Sequence, residues 1–234
     1  GHGLSNQGWK DSGDSIQWRD GRLAEGPIAL CEVQGYAYEA AVGAAGLLDA
    51  HGLTGGDDLR RWAAALKERF AERFWVTTAE GRYPAIALDR HGAAVDTLTT
   101  NAGHLLGTGI LDPDEEKAVS ALLTGTSMSS GFGLRTLSTG AEGYWPLSYH
   151  GGSVWTHDTA IVARGMTLAG RTADAEQVVA GMLAAAEAFD YRVPELHAGD
   201  DAREVDAPSP YPAACRPQAW SAAAAVTAWD VTRR

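Results

Sequence analysis

The stretch "PIALCEVQGYAYEAAVGAAGLLDAHG", residues 27–52, has a helical pattern that largely decides the fold. Pro27 is typical of a first helical turn and Gly52 of a C-cap, so the sequence predicts one long helix between them. Glu32 and Gln34 stand near its N-terminal end, whereas small and apolar residues dominate the remainder. The helix therefore carries polar groups near one end, as expected if that end lines a polar site.

Further helical patterns follow on both sides of long irregular stretches. A second helix is predicted from Asp57 to Val76, and "EGRYPAIALDRHG" is typical of a short hairpin. A third helix is predicted through "LTTNAGHLLGTGI", and a fourth begins where Asp112 is the N-cap, Pro113 stands at N1 and Glu115 at N3. The last three are predicted in "SVWTHDTAIVARGMTLAG", "TADAEQVVAGMLAAAEAF" and "CRPQAWSAAAAVTAWDV".

The helices alternate in character, and this alternation predicts two layers. The odd-numbered helices carry polar or aromatic residues near their N-terminal ends, and the even-numbered ones have a charged face and an apolar stripe. Inner helices lining a polar site, inside outer helices that face water, explain the pattern. We therefore expect a mainly α fold, an α/α toroid in which residues 1–234 form one domain. An α-solenoid is the main rival, but the sequence has no fixed repeat period.

Composition excludes several classes of function. The chain has 19 basic and 30 acidic residues, a formal charge of −11, and no basic cluster, which argues against nucleic acid or an anionic membrane as partner. No apolar run is long enough to span a bilayer, and we expect a cytoplasmic protein. Cys31 and Cys215 lack metal-ligand spacing and are predicted to be buried free thiols. No metal site, nucleotide loop or serine-hydrolase elbow is predicted, and no cofactor is expected.

The acids and aromatic residues in the loops are typical of a sugar site. Aromatic rings stack on sugar rings, and glycoside hydrolysis needs two carboxyl groups. The candidates are Asp11 and Asp14 in "GWKDSGDS", residues 8–15, and Glu195 in "YRVPELHAGD", residues 191–200. On the residues alone, Asp11 and Asp14 each also fit a turn or cap, which is the favoured interpretation for Asp14, and Glu195 also fits a surface glutamate. His157 and Asp158 fit either sugar binding or the start of a helix.

Six ordered blocks carry a resemblance to a known family. They are "LSNQGWKDSGDSI", "ALCEVQGYAYEA", "GFGLRTLST", "PLSYHGGSVWTHDTAI", "PEL" and "YPAACRPQAWSAAA", which together span the whole chain. The chain resembles the catalytic domain of bacterial amylo-α-1,6-glucosidases of the glycogen-debranching type, within the (α/α)6-toroid glycoside hydrolases. At three positions it departs from that pattern, namely at Gly107, Gly152 and Thr156, where the family suggests an aromatic residue, Asn and Pro.

The resemblance implies an inverting mechanism acting on an oligosaccharide, with Asp11 as general acid and Glu195 as general base. By the same resemblance the substrate-binding residues are Trp9, Lys10, Asp14, Glu32, Gln34, His150, Trp155, His157, Asp158, Arg216, Gln218 and Trp220. A phosphorylase on the same scaffold is an alternative, although it needs no base such as Glu195. A carbohydrate-binding or catalytically incomplete fragment is another.

The number of helices has a further implication. About seven are predicted, fewer than a complete toroid contains. We therefore interpret the chain as the C-terminal portion of a catalytic domain, with the remaining N-terminal part as its partner. Alone, it is expected to expose the apolar flanks of its first and last hairpins and to associate.

Overall fold

Seven helices make up most of the regular structure in the computed structural model, which describes residues 8–233. Six are α-helices and one is a 3-10 helix. In chain order they are α1 (Cys31–Ala50), α2 (Gly56–Arg73), the 3-10 helix (Thr100–Leu105), α3 (Pro113–Thr124), α4 (Thr156–Leu168), α5 (Thr172–Ala188) and α6 (Ala219–Val231). The mainly α prediction is confirmed.

Short antiparallel strands join the helices and fix the loops. β1 (Ala29–Leu30), β4 (Ala87–Leu88) and β5 (Ala94–Val95) form a three-stranded sheet in the order β1-β4-β5. β2 (Trp75–Thr78) and β3 (Gly81–Pro84) form a hairpin, and β6 (Val154–Trp155) pairs with β7 (Leu196–His197). The single hairpin predicted within residues 80–92 is wrong, because this segment gives one strand to each of two hairpins. β3 pairs with the preceding β2, and β4 pairs with the following β5.

The helices pack in two layers, as the alternation predicted. α1, the 3-10 helix, α4 and α6 contact one another in that order and form an inner row. α2 packs outside α1, α3 against the 3-10 helix, and α5 against α4 and α6. Apolar residues from both layers meet in one core, including Phe70, Leu105, Val162 and Val179. The row places the N-terminal ends of the inner helices beside the long loops.

Local signals located the helices, but pairing between distant segments set several of their ends. α1 begins at Cys31 and not at Pro27, because residues 29–30 are a strand and the Cys31 N–H donates to the Ile86 carbonyl. α2 ends at Arg73, before Val76, because β2 follows. The start of α3 is confirmed, since the Asp112 side chain and Glu115 form a reciprocal capping box.

Two further predictions need correction. The third helix is a six-residue 3-10 helix, and Gly107, in the left-handed region at φ 74°, lies just beyond its end. α6 begins at Ala219, so Cys215 precedes the helix and is exposed, contrary to its predicted burial. Cys31 is buried with a free thiol, as predicted.

Large apolar side chains lie exposed on three helices of the inner row. They include Val33, Tyr36 and Leu47 of α1, Ile161 and Leu168 of α4, and Val226 and Trp229 of α6. None of the helices formed by residues 8–233 is both long and apolar enough to cross a membrane. Large apolar side chains are also exposed on outer helices, such as Trp62 of α2 and Leu183 of α5. The association expected from exposed flanks of the first and last hairpins stays a prediction.

Candidate active site

The loop of residues 8–15, which we call the acid loop, turns one side chain inward and its neighbour outward. Lys10 is 1% exposed, whereas Asp11 is exposed. The Ser15 hydroxyl donates to the Lys10 carbonyl over 2.7 Å, and the Ser15 N–H donates to the Ser12 carbonyl over 3.2 Å. These bonds close the loop on itself and hold Asp11 at its surface.

A short hydrogen-bond chain connects the acid loop to His150. The Ser12 hydroxyl donates to Oδ1 of Asp14 over 2.6 Å and lies 2.8 Å from Nδ1 of His150. Because a hydroxyl has one proton, His150 must donate from Nδ1 in this arrangement. Burial lowers the pKa of His150 to about 4, and the charge of Lys10 contributes to this shift, so the ring is neutral at pH 7.

Trp9 lies in a box of aromatic rings from three parts of the chain. Its ring is stacked on His104 and meets His150, Trp155 and His157 edge to face, with ring centroids 5.0–6.2 Å apart. His157 in turn stacks on Trp220 at 4.0 Å, and Trp220 is 41% exposed. The box therefore offers a flat aromatic surface toward solvent, the kind of surface on which the apolar face of a sugar ring stacks.

Glu195 is held by backbone groups of a distant loop. Its N–H donates to the Cys215 carbonyl over 2.9 Å, and its Oε2 accepts from the Cys215 N–H over 3.3 Å. The next residue, Leu196, begins β7 and pairs with Trp155 of the aromatic box. Glu195 is half-buried, so its side chain keeps partial contact with solvent while the Cys215 N–H binds its Oε2.

Tyr149 bonds Glu195 and is also influenced by the charge of Asp11. Its hydroxyl donates to Oε1 of Glu195 over 3.5 Å, and its carbonyl accepts from the Trp155 indole over 2.6 Å. Burial raises the pKa of Tyr149, and the negative charges of Glu195 and Asp11 raise it further. The phenol therefore lies within electrostatic reach of both carboxylates. Tyr149 is not among the residues predicted from the sequence, although its position next to His150 in an aromatic-rich loop is a signal for it.

A buried polar network supports the box from behind. Asn101 donates to Glu32 over 2.9 Å, His104 donates to Asp158 over 2.5 Å, and the Tyr36 hydroxyl bonds the other ring nitrogen of His104. Burial raises the pKa of Glu32. Burial also opposes the charge of Asp158, but the hydrogen bond and charge of His104 outweigh it and lower the Asp158 pKa.

The structure brings most of the predicted site residues together. Those in or beside the box and its network are Trp9, Lys10, Asp11, Asp14, Glu32, His150, Trp155, His157, Asp158, Glu195 and Trp220. Within this group Lys10, Glu32 and Asp158 are at most 1% exposed, so they support the site from below its surface. Their direct contact with a substrate stays a prediction.

Three predicted residues have other contacts. Gln34 donates to the Leu30 carbonyl and lines a groove with Phe70 of α2. Arg216 donates to the carbonyls of Phe189 and Arg192, and Gln218 bonds the first N–H of α6. The departure at Gly152 has a steric reason, because a Cβ there would clash with the Trp145 carbonyl oxygen.

The fold is shared with known glycosidases. A mannosylglycerate hydrolase of family GH63 from Thermus thermophilus, in complex with glucose, matches with a TM-score of 0.68 and 18% identity over 87% of this chain and 45% of that chain. Neutral trehalase Nth1 from Saccharomyces cerevisiae matches with a TM-score of 0.68 and 12% identity over 94% of this chain and 41% of that chain. The α/α toroid prediction is thereby confirmed, and the chain spans under half the length of these structures.

The sequence comparisons identify the family. No curated protein is similar enough in sequence to count as a relative. A family model, the mannosylglycerate hydrolase MGH1-like glycoside hydrolase domain, matches residues 5–209. With most of its length matched by this model and its helices arranged as in the toroid glycosidases, the chain belongs to the MGH1-like glycoside hydrolase domain family.

Proposed function

We propose that the chain hydrolyses α-glucosidic bonds with inversion, with Asp11 as general acid and Glu195 as general base. The observation that carries the proposal is that the segments of both carboxylates meet at Trp155 of the aromatic box. Trp9, two residues before Asp11, contacts the Trp155 ring edge to face, and Leu196, directly after Glu195, pairs with Trp155 in the β6–β7 ladder. In such a reaction the acid protonates the leaving oxygen while the base activates a water on the opposite face of the sugar. The mechanism needs a carboxyl separation of about 6.5–9.5 Å to leave room for this water.

Each part of the site has a role in this proposal. Asp11, exposed on the acid loop, gives its proton to the departing oxygen. Glu195 takes a proton from water, and its bonds to Cys215 and Tyr149 fix its orientation. Trp220 and the rings behind it hold the sugar by stacking. After each turnover the acid must regain a proton and the base must release one, and both side chains contact the solvent with which these protons exchange.

The charge around the site favours a neutral leaving group. Asp11, Asp14 and Glu195 are negative or become so during turnover. Lys10 is buried, and Arg216 is engaged by carbonyl oxygens and by Asp190 at 3.6 Å. A neutral oligosaccharide meets less repulsion here than an acid such as glycerate. The charge therefore favours a neutral α-glucoside over mannosylglycerate, and the proposed debranching, amylo-α-1,6-glucosidase type of activity rests on the sequence blocks. Mannosylglycerate hydrolysis is the second candidate, because it is the activity named in the matching family description and in the Thermus structure.

A substrate panel tests the proposal. We expect the highest kcat/KM on α-1,6-linked gluco-oligosaccharides, lower values on α-1,4-linked ones, and the lowest on mannosylglycerate. A preference for mannosylglycerate would establish the second candidate. Release of a sugar 1-phosphate only in the presence of inorganic phosphate would indicate a phosphorylase. Oligosaccharide binding with no turnover of any member would contradict the enzymatic proposal and support a carbohydrate-binding role.

We also propose that the apolar surface of α1, α4 and α6 receives the remaining N-terminal part of the catalytic domain. In support, Leu47, Val226 and Trp229 are each more than 60% exposed, and the chain spans under half of the toroids it matches. We expect residues 1–234 alone to self-associate, and a polypeptide that supplies the other hairpins to abolish this association. Light scattering that shows a monodisperse monomer of residues 1–234 would contradict this proposal.

A further inference from the structure

Lys10 is a buried cation directly beside the proposed general acid. Its side chain is 1% exposed, although lysine is rarely buried without an ionic partner in direct contact. The ammonium donates to the Thr136 carbonyl over 2.7 Å, and no carboxylate of residues 8–233 forms an ion pair with it within 4.0 Å. It also lies 5.3 Å from the centre of the Trp9 ring. An apolar side chain would fill this space without the cost of burying a charge.

The Thr136 carbonyl belongs to a segment that is tied to the rest of the site. Thr136 bonds the Ser153 carbonyl through both its N–H and its hydroxyl, each over 2.9 Å. Ser153 directly precedes β6, whose Trp155 pairs with Leu196, the residue after Glu195. A continuous path of hydrogen bonds and short backbone segments therefore runs from Lys10 to Leu196. The two proposed catalytic carboxylates each lie one residue from an end of this path.

The surroundings of Lys10 act on its charged form in opposite directions. Burial lowers its pKa to about 8, and the negative charges of Asp158 and Glu32 oppose this shift. The Cys31 thiol group and the neutral His150 are the other titratable groups that interact with it. Asp158 and Glu32 come from α4 and α1, so the ammonium draws the acid loop toward the inner row of helices.

We infer that Lys10 is a positioning residue for Asp11. By binding the Thr136 carbonyl, the ammonium holds the acid loop at a fixed separation from Glu195, so that the proton of Asp11 reaches the departing oxygen. This inference rests on the proposed function, because it assumes that Asp11 is the acid. It adds that the lysine of the acid loop acts through its neighbour and does not contact the sugar.

The test compares leaving groups in the whole protein. Displacing the general acid lowers the rate on substrates whose leaving group must be protonated. It changes the rate much less on substrates whose leaving group departs without protonation. We expect Lys10→Met to lower kcat/KM about 10- to 100-fold on an oligosaccharide and much less on an activated aryl α-glucoside. Lys10→Arg should restore part of the loss. Ser15→Ala removes the bond from the Ser15 hydroxyl to the Lys10 carbonyl. It should also lower kcat/KM more on the oligosaccharide than on the aryl glucoside, but by a smaller factor than Lys10→Met.

The matched control is Lys67→Met. Lys67 also donates to a backbone carbonyl, that of Gly109 over 2.8 Å, and it belongs to α2. The Lys67→Met variant should have unchanged kcat/KM on both substrates.

The positioning role would be contradicted if Lys10→Met lowered kcat/KM equally on both substrates or not at all. If Lys10→Met does not fold, a Ser15→Ala variant that affects both substrates equally would contradict it instead. Asp11→Asn separates the two failures. If it shows no selectivity, the proposed function fails. If it alone is selective, only the Lys10 inference fails.

Discussion

Replacing Asp11 by Asn is expected to lower kcat/KM on an oligosaccharide by about 10³- to 10⁴-fold, in the upper range of general acid catalysis. Asparagine keeps the size of the side chain but has no acidic proton to give to the leaving oxygen. An activated aryl α-glucoside leaves without such help, so its rate should fall by about tenfold or less. The measurement is the ratio of kcat/KM for the two substrates in variant and parent.

The control for this variant is Asp20→Asn, which removes an exposed carboxylate that bonds Arg22. It should leave both rates at the parental level. Asp14 is the competing acid, because it lies in the same loop and is bonded through Ser12 to His150. If Asp14→Asn shows the dependence on the leaving group and Asp11→Asn does not, the acid is Asp14 and the assignment of Asp11 is wrong.

Replacing Glu195 by Gln is expected to have an effect of about 10³-fold or more that does not depend on the leaving group. A base acts on the attacking water, so its loss slows every substrate to a similar extent. Glutamine keeps one oxygen, which can accept from the Cys215 N–H, and its amide nitrogen can donate to the Tyr149 hydroxyl, so the loop should keep its shape. The same two substrates provide the measurement, together with a melting curve that shows an intact fold.

Glu204→Gln is the matched control, since Glu204 is an exposed loop glutamate outside the described site. It should have parental activity on both substrates. A Glu195→Gln variant with parental turnover would exclude Glu195 as the base. A variant that spares the oligosaccharide but not the aryl glucoside would also contradict the assignment, because neither substrate avoids the water-activation step.

The local part of the fold could be predicted from the sequence. The capping box at Asp112 and the apolar stripes of the outer helices are signals within one or two turns, and the structure follows them. The ends of α1 and α6 could not be predicted, because they depend on partners far along the chain. The Cys31 N–H donates to the Ile86 carbonyl, and the Cys215 carbonyl accepts from the Glu195 N–H. Such pairings leave no trace in the residues of either helix.

The sequence predicted which chemical groups the site contains. It did not predict which contacts those groups make with one another. The acid loop and the "PEL" segment are recognisable as blocks, and the structure brings both to the aromatic box. The roles of Tyr149 and Lys10 required coordinates, since the bond between Lys10 and Thr136 joins residues 126 positions apart. Gln34 and Arg216 have contacts that the sequence did not indicate, and their binding of substrate stays a prediction. Each occupies a family-like position, but its side chain bonds backbone carbonyls outside the box.

The configuration of the first sugar released tests the central claim most directly. Proton NMR during the first minutes of hydrolysis of an α-linked gluco-oligosaccharide distinguishes the two anomers before they interconvert. Direct attack by a water that Glu195 activates predicts that β-glucose appears first and α-glucose only later by mutarotation. Initial release of α-glucose would mean retention through a covalent intermediate, and Glu195 would then not be the base of a single displacement.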